Sequence, residues 1–460
     1  MSLSRRQLLR TGVGVLGLSL PELLRLEAAS ANDTAHDRPQ NGQRKARSCI
    51  VLFCWGGMSH LETFDPKPDA PPEIRGEFRP IATSTPGTQF SEHIPMLAKR
   101  SHELAVVRSV HHNCSGHGKG MYWNLTGHEP PQPGLAANLP PSGDDWPSLP
   151  AMVSKFRQSP KGMPPCIRLP YPLVDNGTLQ AGEYSGWLGI ENDPVVVKTP
   201  SGKAWNGVSR SLGSAVLDFS APIDLKKIRL RGQLLTQLEQ PLQKTDDFEK
   251  HEYFHELAHD MLANSRVRQA FDLDREPAQR RDRYGRHICG QSVLLSRRLV
   301  EAGVPIVTVC CAAGDLNGSR GDHWDTHGNN FNRLKNDMLP PFDRAATALI
   351  DDLSERGRLD ETLVVILTEF GRTPRINGGA GRDHYPGCYS VAFAGGGIQG
   401  GQVYGSSDKF GAHPASFPCT PADLHATIFS AMGISPHSIL HDQLGRPFQI
   451  CDGEPLPLFG

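Results

Sequence analysis

The residues best suited to chemistry fall in a few short clusters. Asp322-His323-Trp324-Asp325-Thr326-His327-Gly328 sets two Asp and two His within six positions. Imidazole and carboxylate donors suit Zn²⁺ or Mn²⁺, and donors close in sequence lower the entropy of assembling a site. Arg382-Asp383-His384-Tyr385 lies between glycine-rich turns. It offers His384 as a further ligand, with Asp383 to orient its ring. Glu369 directly follows an apolar run, where a carboxylate needs a partner or a cation. Ser115-Gly116-His117 adds a hydroxyl and an imidazole, and Lys119 an ammonium for an anion. Arg372 and Arg382 are the other candidates for holding an anion. His60-Leu61-Glu62-Thr63-Phe64-Asp65 is a weaker cluster, and Asp65 before Pro66 reads as a turn former.

These side chains need a scaffold that gathers them. Five apolar runs have the character of strands buried on both faces: 50–54, 104–110, 304–310, 363–367 and 389–394. Helical periodicity separates several of them. Phe331, Leu334, Met338, Phe342, Ala345, Leu349 and Leu353 mark one long amphipathic helix, with a kink expected at Pro340-Pro341. Strands alternating with helices predict an α/β fold with a mainly parallel sheet covered on both faces. In such sheets ligands bind beyond the carboxyl ends of the strands. The clusters follow the runs at 50–54, 104–110, 304–310 and 363–367, and His384 precedes the run at 389–394. One cleft should therefore collect them. Asp325, His327 and His384 are expected to converge there, with Glu369 facing them and Ser115 and His117 approaching from a neighbouring loop. The stretch 128–230, rich in Pro and Gly, reads as loops and a small subdomain with short strand candidates such as Val195-Val196-Val197, and 225–302 as helices.

Composition narrows the class. The 460 residues are 38% hydrophobic and 21% charged, which is enough apolar material for a real core. Lys+Arg (48) and Asp+Glu (49) leave a formal net charge of -1, so no basic excess points to a nucleic-acid partner. No apolar run is long enough to span a membrane. The start, Ser4-Arg5-Arg6-Gln7-Leu8-Leu9-Arg10, precedes a short apolar stretch and Ala29-Ser30-Ala31. That pattern predicts a twin-arginine export signal over 1–31, then a polar tether over 32–47. A periplasmic or secreted location follows. Ten cysteines lack any CxxC pair and are expected as buried free thiols.

Ile50 to Pro68, Trp324 to Phe331, Thr368 to Pro374 and Arg382-Asp383-His384 together resemble a secreted bacterial family called "domain of unknown function 1501". That family is similar to the alkaline phosphatase/sulfatase superfamily. The resemblance implies one such domain over 48–452, with an inserted region at roughly 130–300. Asp343 to Gly371 is similar to the superfamily segment ending in Ser-Asp-His-Gly, with Glu369 in the place of the metal-binding Asp and Phe370 in that of the His. Leu125-Thr126-Gly127 resembles the segment after the nucleophile, which puts His117 at the nucleophile's place and Ser115 two residues earlier. Trp55-Gly56-Gly57 stands where the superfamily carries an Asp, and no Cys-x-Pro-x-Arg signature is present.

The function implied is an exported metal-dependent hydrolase of anionic esters, phosphate or sulfate. Its partner would be a small anionic ester or a sulfated or phosphorylated glycan. The divalent metal would be Zn²⁺ first, with Mn²⁺ or Ca²⁺ as alternatives, on Asp325, His327, Glu369 and His384. Ser115, His117 and Lys119 would be catalytic, and Arg372 and Arg382 would bind the anion. The competing reading is a non-catalytic periplasmic binding protein that retains a sulfatase-like fold.

Overall fold

The strand-forming runs of Val, Ile, Leu and Phe assemble a central sheet, because such residues pack well on a pleated, buried surface. In the computed structural model this sheet has eight strands: β1 (Ser48–Phe53), β2 (Leu104–Val110), β3 (Cys166–Leu169), β4 (Val195–Val196), β5 (Ile306–Cys310), β6 (Thr362–Leu367), β7 (Tyr389–Ala394) and β8 (Gln402–Tyr404). The structure describes residues 46–131, 139–170, 172–175, 178–196, 257–258, 260–261, 264–311 and 323–460. The expected export signal, the tether up to residue 45, and Asp322 lie outside the described residues.

The strand order is β8-β2-β7-β6-β1-β5-β3-β4. Neighbours run parallel except β7, which is antiparallel to both β6 and β2. All five runs expected as strands share this sheet. β1 pairs with β6 from Ser48↔Thr362 to Phe53↔Leu367, and Phe53 also faces Cys310 of β5. The chain therefore leaves β1, β5 and β6 at the same edge. Because β7 is reversed, the segment entering it arrives at that edge too, which is where His384 must be.

Alternation along each strand feeds two cores. Ile50, Leu52, Val307, Val309, Val364 and Ile366 join the core that holds α2 (Ile288–Glu301) and α3 (Leu339–Glu355). Val51, Phe53, Val365 and Leu367 join the core on the opposite face, with α1 (His117–Thr126) and α4 (Pro421–Ala431). A Thr420/Asp423 capping box with Pro421 in the first turn starts α4, and these residues satisfy the free N–H groups there. Among the described residues no helix is long and apolar enough to cross a membrane. All ten cysteines are free and buried.

Two expectations change. The segment read as loops and a small subdomain supplies two strands of the main sheet: β4, at the strand candidate Val195-Val196, and β3, which was not expected. Arg168 interrupts the apolar pattern of β3, and its charge is balanced by an ion pair with the buried Glu183. The single long helix is instead divided into successive helical segments. A π-helical stretch, Leu334–Met338, precedes α3, and Pro340 and Pro341 sit in the first turn of α3. Proline is tolerated there because N–H groups in that turn have no partner within the helix.

A candidate metal centre at the sheet edge

The centre begins with backbone geometry. After β1, Gly56 and Gly57 adopt φ +111° and +81°, conformations that L side chains rarely reach. A Cβ at Gly56 would meet the Asp325 backbone nitrogen at 2.4 Å. Glycine thus lets this turn lie directly against the 323–327 loop, and Trp324 N–H donates to the Trp55 carbonyl at 3.1 Å. The segment after β6 closes a short antiparallel ladder in which Arg372 faces His384. Helix α1 starts at His117 and ends where Gly127 turns left-handed at φ 80°. His117, Gly120 and Asn124 share the face of α1 turned to Glu369. Asn124 Nδ2 donates to the Glu369 carbonyl at 2.9 Å, and a Cβ at Gly120 would lie 3.1 Å from it.

Four side chains meet at this edge. Asp325 Oδ1 lies 3.1 Å from His384 Nε2 and 3.0 Å from His327 Nε2. Asp325 Oδ2 lies 3.4 Å from His117 Nε2. The two imidazole nitrogens His327 Nε2 and His384 Nε2 are 2.9 Å apart. Each ring is held from behind through Nδ1. His117 Nδ1 is 2.9 Å from Glu369 Oε1. His327 Nδ1 is 2.7 Å from Asp383 Oδ1. His384 Nδ1 is 2.8 Å from the Ser115 carbonyl oxygen. Protons placed on those Nδ1 atoms leave three Nε2 lone pairs converging on one carboxylate. Donor atoms of His117, Asp325 and His384 all lie within 4.8 Å of one another. His117 Nε2 is buried, and its partner is the Asp325 Oδ2 oxygen at 3.4 Å, a longer approach than those of His327 and His384. A divalent ion fits this donor set: neutral imidazoles with outer-shell acceptors, plus one carboxylate.

The electrostatics show which rings hold protons that a bound ion would have to displace. Burial pushes the Asp325 carboxyl up, but hydrogen bonds from His117, His327 and His384 and the charge of Arg372 hold it well below the usual range. Burial disfavours protonated His117, yet its bonds to Asp325 and Glu369 outweigh this and raise it to about 9. The bond to Asp325 raises His327 against the effect of burial, and Asp383 adds to the rise. Burial lowers His384 despite Asp325, and His117 and Arg372 lower it further.

Aromatic walls enclose the cluster. Trp55 stacks on His117 at 5.3 Å and meets His323 edge-on. Phe370 packs against His117 and His384, with ring centroids 5.2 and 4.6 Å away. Both residues occupy places where the resemblance implied metal ligands. Phe370 has no donor, and the buried Trp55 Nε1 makes no hydrogen bond.

The sequence-derived candidates divide clearly. Asp325, His327, His384, Glu369 and His117 come together. Glu369 is fully buried and reaches the cluster through His117, while its Oε1 also accepts the Gly56 N–H at 2.7 Å. His117 sits among the donors, not in a nucleophile's position apart from them. Ser115 joins through its backbone carbonyl. Lys119 is buried about 200° around α1 from His117, at 3.6 residues per turn, and so stands away from the Glu369 face. Asp383 orients His327, not its neighbour His384, because adjacent side chains of an extended segment point to opposite faces.

The two arginines do not act as expected either. Arg382 is fully buried and spends its donors on Glu62 Oε1, at 2.6 Å from Nη2, and on the carbonyls of Thr373, Pro374 and Ile74. It is a strut with nothing left for a substrate anion. Arg372 is equally buried and binds Asp325 and the Gly56, Gly57 and Arg382 carbonyls. Asp65 is more than a turn former: it is buried, and Ser407, Lys67 and Arg108 surround it. Sequence reasoning missed Asp175 on the hairpin Val174–Asp175/Thr178–Leu179. Burial raises its carboxyl, and charges on His117, Asp325, Glu369 and His384 act on it, so it lies close to the centre.

Comparisons place the chain among known proteins. Solved structures it is similar to include Ps i-CgsB in complex with k-i-k-neocarrahexaose, at 12% identity and a TM-score of 0.42, covering 90% of this chain and 75% of that one. The PsFucS1 sulfatase from Pseudoalteromonas sp. is similar at 12% identity and a TM-score of 0.37, covering 89% and 71%. A protein in the alkaline phosphatase superfamily from Vibrio parahaemolyticus is similar at 9% identity and a TM-score of 0.37, covering 85% and 67%. No curated protein matches the chain. Residues 46–457 match the family described as "Protein of unknown function (DUF1501)", and the chain belongs to that family.

Proposed function

We propose that the protein is an exported hydrolase of anionic esters, phosphate or sulfate, that works with one divalent transition metal, Zn²⁺ first. One observation carries this reading: three imidazoles, each pinned at Nδ1, turn their Nε2 atoms onto Asp325, at 3.0 to 3.4 Å from its carboxylate oxygens.

When bound, the ion supplies Lewis acidity, polarising an ester oxygen and acidifying water. His117, His327, His384 and Asp325 would hold it, and Glu369, Asp383 and the Ser115 carbonyl would keep the three rings in register. Trp55 and Phe370 exclude water from the inner side, which strengthens every electrostatic interaction there. The His327 side chain is 47% exposed, so the centre opens to solvent on that side and substrate enters there. A divalent ion at the open side supplies the positive charge that an ester anion would meet. The partner class is thus a small anionic ester or a phosphorylated or sulfated glycan. The N-terminal Arg5-Arg6 pattern carries the export half of the proposal.

The test is an activity screen on aryl phosphate and aryl sulfate esters, using the metal-loaded full chain and a chelator-treated control. Chelator-sensitive turnover of either class supports the proposal. Tight metal binding with no turnover on any ester transfers the function to a binding protein built on the same centre.

A further inference from the structure

Arg372 is a tightly held cation at the edge of the sheet that carries the centre. Its side chain is fully buried. Nη2 lies 2.5 Å from Asp325 Oδ1, the oxygen that His327 and His384 also face. Nε donates to the Gly57 carbonyl and Nη1 to the Arg382 carbonyl, both at 3.0 Å, and Nη2 also donates to the Gly56 carbonyl. The left-handed glycine turn after β1 is what aims two carbonyl oxygens at this one guanidinium. Phe370 closes another side, with its ring centroid 5.9 Å from the Arg372 guanidinium carbon.

A carboxylate oxygen and several carbonyl oxygens gathered in a buried space form an environment suited to a hard cation. Here a guanidinium fills it.

We propose that Arg372 is a built-in cation that replaces a second metal ion, so that the centre takes one divalent ion per chain. Arg372 is thereby a positioning residue. It fixes Asp325 Oδ1 against the imidazoles and keeps its own face of the carboxylate closed to metal, without touching substrate. This inference rests on the metal-centre reading above.

The experiment is Zn²⁺ stoichiometry of the full chain, by elemental analysis after gel filtration and by calorimetric titration. Wild type should bind one equivalent, and Arg372→Lys, which keeps the charge, should also bind one. Arg372→Met, which frees the Asp325 oxygen and the Gly56 and Gly57 carbonyls, should take up a second, weaker equivalent. A merely structural arginine would not change the stoichiometry from one to two. Two equivalents in wild type overturn the inference while leaving the metal centre standing. Zero equivalents in wild type overturn the metal centre itself. Should Arg372→Met fail to fold by circular dichroism, the wild-type and Arg372→Lys values still decide: two in either refutes the inference. A folded Arg372→Met that holds one ion with unchanged affinity also refutes it.

Discussion

Replacing Glu369 by Gln isolates the outer shell of the centre. Glu369 Oε1 accepts from His117 Nδ1 at 2.9 Å and from the Gly56 N–H at 2.7 Å, in a fully buried position. Glutamine keeps an acceptor oxygen for both donors and places its amide near Thr368 Oγ1, which lies 3.3 Å from Glu369 Oε2. The shape survives and the charge is lost. Hydrogen bonds to an ionised group contribute about 1.5–3 kcal/mol against about 0.5–1.5 for neutral pairs. The change should therefore cost His117 about 1–2 kcal/mol of orientation and donor strength. In metal affinity that is about 5-fold to 30-fold, overlapping the range known for outer-shell partners of ligating histidines. The assay is competition for Zn²⁺ with a chromophoric chelator, run beside a urea unfolding curve. Folding stability should change by no more than about 2 kcal/mol, since no buried donor is orphaned. Glu369→Ala, by contrast, leaves two donors unpaired and should cost about 2–6 kcal/mol of stability. A Glu369→Gln protein that binds Zn²⁺ within twofold of wild type would refute the reasoning, because His117 would then not depend on its carboxylate.

Arg382→Met leaves Glu62 charged and buried and should destabilise the fold by about 3–5 kcal/mol in urea unfolding, and adding Glu62→Gln should recover part of the loss. Gly56→Ala introduces a Cβ against the Asp325 backbone, so the 323–327 loop should shift and Zn²⁺ affinity fall, measurable by the same chelator competition. His425 is buried with its Nε2–H donating to the Asn124 carbonyl, and burial lowers its pKa to about 4. A depressed folded pKa means this histidine's contribution is present above about pH 6.5 and is lost as pH falls toward 4. Unfolding free energy should drop across that window, and His425→Gln should remove up to about 3 kcal/mol of the drop.

Much of the scaffold was legible because buried parallel strands write themselves as apolar runs: 50–54 and 363–367 needed only hydropathy. β3 was not, since Arg168 breaks its pattern and the neutralising Glu183 belongs to a loop that only the fold brings near. The centre divides the same way. Asp325 and His327 stand two positions apart, and the loops that carry them and His384 leave or enter one sheet edge. Arg372 and Arg382 looked free in sequence because their acceptors are remote: Glu62 is 320 positions from Arg382, and the Gly56 carbonyl 316 from Arg372. A basic residue with no local acid reads as available, whereas burial had already committed both. His117 was placed as a nucleophile by the resemblance, yet its partners Glu369 and Asp325, both distant in sequence, make it a donor within the cluster.

The central claim is that His117, His327, His384 and Asp325 form one metal centre. The most direct measurement is the metal content of the purified full chain beside His384→Ala, each after Zn²⁺ loading and gel filtration, with circular dichroism to confirm the fold. The account predicts about one Zn²⁺ per wild-type chain and its loss from a folded His384→Ala, because the core lies in the sheet and the ligand does not. A well-folded wild type that takes up no metal, or a His384→Ala that keeps its full complement, would contradict it.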